Sequence, residues 1–129
     1  MDLAAARPID LAIIEGIQSI VGGEGPWVKG SKVVDPGVLV VGRNPVCTDA
    51  VAAAVMGFDP RAKRGEGPFH VFKTHVEPKD PMNAENPMLL AEAVGLGSAD
   101  LSRIDVRGVS IKQALFDFEA RRKAASPAI

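Results

Sequence analysis

The chain has 129 residues, 47% of them apolar and 24% charged, the length and make-up of one globular domain. Fifteen basic against sixteen acidic residues leave a net charge of −1, and there is no Tyr and one Trp. No field draws in a polyanion and no aromatic platform awaits stacked bases, so no nucleic-acid partner is expected.

A single cysteine, Cys47, makes no internal disulfide and holds no iron–sulfur cluster. Cofactors are otherwise unspecified. No apolar run approaches the roughly 18 residues of a membrane span, and residues 1–8 lack the basic and apolar regions of a signal peptide. A cytoplasmic protein without a membrane partner is expected.

Residues 9–14, Ile-Asp-Leu-Ala-Ile-Ile, form a nearly continuous apolar run that suits a strand buried on both faces, as in parallel sheets covered by helices. The run passes through Glu15-Gly16-Ile17 into the glycine-dense Gly22-Gly23-Glu24-Gly25-Pro26-Trp27. Residues 17–21 read equally as a short helix or as irregular chain. A second buried-strand pattern, Val38-Leu39-Val40-Val41, opens on the turn-like Asp35-Pro36-Gly37 and closes on Gly42.

A helix is expected over residues 45–56. Asn44 is a good N-cap, Pro45 a good first helical residue, and Gly57 sits where a left-handed C-terminal cap belongs. Ala50, Ala52, Ala53 and Ala54 let this helix approach a sheet closely.

Residues 59–85 are proline-rich and charged, a long irregular excursion of the kind that covers or contacts something. Phe69, Val71 and Phe72 are its expected anchors. The Asn-Pro device recurs at Asn86-Pro87, opening a helix with Leu89, Leu90, Ala93 and Val94 as its apolar stripe, which Gly95 ends. A short strand is expected at Ile104-Asp105-Val106. Ser110 with Gln113 makes a capping box for a last helix whose core face is Ile111, Ala114, Leu115 and Phe118. The fold expected from this order is a single α/β domain over 1–129, with a small, mostly parallel sheet flanked by helices and built from strand–turn–helix units.

Three ordered motifs resemble the "domain of unknown function 362" family. They are Glu15-Gly16-Ile17 with residues 22–27, then Gly42-Arg43-Asn44-Pro45-Val46-Cys47-Thr48-Asp49-Ala50-Val51 with residues 56–60, then residues 89–97 with residues 104–108. The resemblance spans roughly residues 9–119. It implies the C-terminal portion of a longer architecture, with an N-terminal half that is missing or supplied by a partner chain. It implies no activity, and the family's association with iron–sulfur proteins does not carry over to a chain with Cys47 alone.

Ligands of open α/β sheets gather beyond the carboxyl ends of the strands. On a parallel sheet that edge would collect Glu15 and Gly16 after the first strand, and Arg43 and Asn44 after the second. Gly22, Gly23 and Gly25 would wrap a small anionic molecule, with Glu24 and Asp49 as further carboxylates. The plainer reading is that the glycines only make turns and that the carboxylates satisfy local donors. Cys47 reads as a packed apolar thiol. His70 and His75, five apart in the excursion, have no metal-pair spacing, and no metal site is expected.

No complete catalytic set is present, so two functions stand. One is the ligand- or cofactor-binding lobe of a larger enzyme, and the other is a non-catalytic binding or assembly module. The second predicts an exposed apolar patch where the missing half would dock.

Overall fold

A computed structural model describes residues 5–23, 25–69 and 85–125. The elements in order are β1 (Ala12–Gly16), β2 (Ser19–Val21), β3 (Lys32–Val34), β4 (Val38–Gly42), α1 (Pro45–Val55), α2 (Pro87–Ala93), a 3-10 turn at Leu101–Arg103, α3 (Ile111–Ala114) and α4 (Phe118–Ala125).

The sheet is antiparallel, which corrects the expected parallel arrangement. β1 pairs with β4 in the register Ala12↔Gly42 to Gly16↔Val38, and β2 pairs with β3 from Ser19↔Val34 to Val21↔Lys32. These are two lengths of one bent hairpin whose tip carries the glycine-dense segment. Two residues, Ile17 and Gln18, separate the lengths on one arm, against Asp35, Pro36 and Gly37 on the other. The extra residue makes a bulge, and bulges bend a ribbon. Gly37 takes the positive φ of 69° that the bend needs, and its N–H reaches the Ile17 carbonyl at 3.3 Å. Pro36 supplies no N–H to a ladder, so the pairing is interrupted there.

The parallel expectation has a physical source. A continuous apolar run is the mark of a strand made for burial on both faces, and covered parallel strands are its commonest owners. The run does not fix strand direction. Direction here follows from the loop, because a ten-residue segment rich in Gly joins neighbouring antiparallel arms directly, whereas parallel neighbours need a longer crossover.

α1 lies against one hairpin face. Asn44 is its N-cap with extended backbone (φ −123°, ψ 119°), Pro45 stands in the first turn, and Gly57 follows with φ 85°. Close approach depends on Gly42: a Cβ there would overlap the Thr48 hydroxyl, which donates to the Asn44 carbonyl at 2.7 Å. Thr48, Ala52 and Val55 of α1 are buried, and Ala52 and Val55 share a cleft with Ile14, Val38 and Val40 of the hairpin.

The other side of α1 builds the core. Val46, Ala50, Met88, Ala91 and Ala99 are its buried members, with Phe69, Leu89, Leu96, Leu101 and Ile104 packed around them. The layers are therefore hairpin, α1, then α2 with the segment that follows it. Phe69 is an anchor of the excursion as expected; Val71 and Phe72 lie outside the described residues.

Two C-terminal expectations are corrected. Residues 104–106 form no strand; the 3-10 turn ends at Arg103 and the chain runs on without a sheet partner. The last helix is two pieces. The Ser110–Gln113 capping box opens α3, but Leu115 turns extended (φ −56°, ψ 122°) and is exposed. The Phe116 N–H donates instead to Val55 O at 2.8 Å, and the Phe118 N–H to Met56 O at 3.0 Å. Free carbonyls at the end of α1 are satisfied by breaking the later helix, a tertiary demand that outweighs local propensity. Asp117 then lies against Gly57 and caps α4, accepting from the Ala120 N–H at 2.8 Å.

Candidate functional site

In an antiparallel hairpin the carboxyl ends of β1 and β4 point in opposite directions. Glu15 stands opposite Leu39, whereas Gly42 stands opposite Ala12. The two rungs are three residues apart, roughly 10 Å at strand spacing, and Asn44 lies further still from Glu15. The common rim expected for Glu15, Gly16, Arg43 and Asn44 is not formed.

The candidate residues fall into three separate places. Glu15 and Gly16 lie beside the bend, where the Glu15 carboxylate accepts from the Ile17 N–H at 2.6 Å. They border the cleft between hairpin and α1, whose other walls, Val38, Val40, Val55, Met56 and Phe118 among them, are almost wholly apolar. That cleft offers an anion no cationic group.

Gly22, Gly23 and Gly25 are at the hairpin tip. Gly22 has φ 87°, and Gly25 is buried under the Trp27 ring, which would overlap a Cβ at that position. Trp27 itself is 77% exposed. Successive turns, Val28 N–H to Gly25 O and Ser31 N–H to Val28 O, use the tip's backbone internally. Glu24 lies outside the described residues.

Arg43, Asn44 and Asp49 are at the far end. Both ends of the Asn44 amide are committed: Oδ1 accepts from the Cys47 N–H at 3.0 Å, and Nδ2 donates to the Leu96 carbonyl at 2.8 Å. Gly97 makes room for this clamp, since a Cβ on it would overlap Asn44 Oδ1. Asp49 is exposed on α1, and partial desolvation raises its carboxyl above the usual range. Cys47, the free thiol, is half-buried beside the cap. His70 and His75 lie outside the described residues.

What the sequence did not single out is the hairpin's other face. Along residues 11–15 the odd-numbered side chains Leu11, Ile13 and Glu15 are exposed, while Ala12 and Ile14 between them are half-buried. On β4 the exposed positions are Leu39 and Val41, followed by Arg43. The register puts Ile13 beside Val41 and Glu15 beside Leu39. Ile13 is 60% exposed, and Leu11, Leu39 and Val41 are within a few per cent of that. The signal was present in the apolar run, whose two-sided pattern calls for cover on both faces while α1 covers one.

Both edges of the ribbon are also unpaired among the described residues, since each sheet has two strands. No helix among them is long and apolar enough to cross a membrane. No protein-family model, curated protein or solved structure matches the chain.

Proposed function

We propose that this domain is a non-catalytic assembly module whose outer hairpin face is an interface for another polypeptide. The carrying observation is the exposed aliphatic face of Leu11, Ile13, Leu39 and Val41, on strands whose inner face is half-buried against α1. A contiguous apolar patch of this kind on a small domain marks an interaction site. Water-exposed strands ordinarily alternate apolar with polar residues; these place Ile, Leu and Val on both sides.

The ligand-lobe reading has less support. Its anion site needed Glu15, Arg43, Asn44 and the glycine tip to converge, and these are spread over the length of the hairpin. The resemblance to the "domain of unknown function 362" family, whose members are longer, fits a domain that works in contact with further polypeptide. A cytoplasmic setting is proposed with it, on the unpaired Cys47.

A photo-cross-linking residue placed at position 13 tests the reading in living cells. An interface gives one discrete protein adduct, lost when Leu39 and Val41 are replaced by Ser. A purely solvent-facing strand gives no adduct, and that result would overturn the proposal.

A further inference from the structure

We infer that the polypeptide covering this face is a second copy of the same chain, packed face to face about a twofold axis that crosses the strands at the Ile13–Val41 rung. The inference rests on the assembly reading above and adds the partner. Its first ground is charge. The outer face is apolar at its centre and carries one acidic and one basic residue at opposite ends. Glu15 lies one outward-facing position from Ile13 in one direction, and Arg43 one outward-facing position from Val41 in the other. Neither has an ion-pair partner among the described residues.

A twofold across the strands reverses their direction. It therefore brings the Glu15 end of each copy over the Arg43 end of the other, twice by symmetry. This is the self-complementarity an isologous interface requires. A face with one sign of charge would repel its own copy.

The second ground is area. Leu11, Ile13, Leu39 and Val41 are each 56–60% exposed. At on the order of 100 Å² apiece, with Glu15 and Arg43 added, they supply about 600 Å² per partner, the lower end of a standard stable interface. Sheets that pack on one another do so with apolar inner faces and nearly aligned strands, which a bent two-stranded ribbon can supply from each copy.

Sedimentation of the purified chain and of charge-swapped variants decides the matter. The wild type is expected as a dimer that dissociates on dilution. Glu15→Arg alone sets Arg against Arg, and Arg43→Glu alone sets Glu against Glu, so each raises the dissociation constant several-fold to about tenfold. An equimolar mixture of the two variants, and the double variant E15R/R43E, restore opposite charges at both contacts and bring back wild-type affinity. Ile13→Asp gives a monomer with unchanged far-UV circular dichroism, because the side chain it replaces is exposed in the single chain.

A wild type that stays monomeric at high micromolar concentration overturns the second-copy inference. So do single swaps without effect on association, or a mixture that fails to rescue it. The position-13 adduct separates this failure from that of the assembly reading. An adduct of twice the 13.5 kDa chain supports the second copy. One of another mass keeps the interface and replaces the partner, and no adduct removes both.

Discussion

Asn44 Nδ2 and the Leu96 carbonyl oxygen are 2.8 Å apart, so the residue that caps α1 also ties the hairpin end of that helix to the chain leaving α2. An N-cap needs only the side-chain oxygen, which here serves Cys47 N–H. The amide nitrogen is what makes asparagine the better residue than aspartate or serine at this place. Asn44→Asp keeps a good cap and loses the donor, leaving a carboxylate near a carbonyl. It is expected to lower stability by about 1–2 kcal/mol, read by urea denaturation. An Asn44→Asp variant as stable as the wild type would show that the clamp contributes nothing and reopen a ligand role for the side chain.

The sequence made the Asn44 cap legible because capping is local: an oxygen, three residues of helix and a proline define it. The same holds for Gly57, for Asn86-Pro87 and for the Ser110–Gln113 capping box, all of which are in place. The second bond of Asn44 spans 52 residues, and no pattern in the neighbourhood of residue 44 encodes it. Strand direction failed for the same reason. The apolar runs at β1 and β4 report which side chains seek cover but not which way the next strand runs. The candidate site inherited that failure, since Glu15 and Asn44 share a rim only on a parallel sheet. The α3–α4 break likewise depends on the distant carbonyls of Val55 and Met56.

Asn86 repeats the device at a more buried place and should be the more costly of the two to alter. It is 2% exposed, and its Nδ2 donates to the carbonyls of both Pro60 and Ala62, at 2.8 and 2.9 Å. Its Oδ1 accepts from the Met88 and Leu89 N–H groups. One amide thereby starts α2 and holds the first turns of the excursion against it. Asn86→Ala leaves buried donors and acceptors unmatched on both sides, which is expected to cost about 3 kcal/mol. Asn86→Asp keeps the cap and still fails at the two carbonyls, so it should not rescue. A chemical-denaturation series of the two variants checks this, and recovery by Asn86→Asp would refute the role given to the donor.

Acid sensitivity should trace to Glu92. Its carboxylate accepts from the Ser98 hydroxyl at 2.6 Å and from the Ala99 N–H, and pairs with Arg61 at 2.9 Å. These contacts, the Ser98 hydrogen bond first, hold its pKa below the usual glutamate value despite some desolvation. A group with a depressed folded-state pKa stabilises the fold fully above its unfolded pKa, and that contribution fades as pH falls through the folded value. The melting-temperature gap between wild type and Glu92→Gln should therefore be widest near neutral pH and close as pH falls below the ordinary carboxylate range. Asp100, lowered mainly by its hydrogen bonds from Ser102, adds acid sensitivity to both proteins alike and drops out of the difference. Thermal melts of the pair between pH 7 and pH 3 measure the gap. A gap that stays constant with pH would mean that the Glu92 charge does not help to join α2 to the Ser98–Ala99 turn and to Arg61.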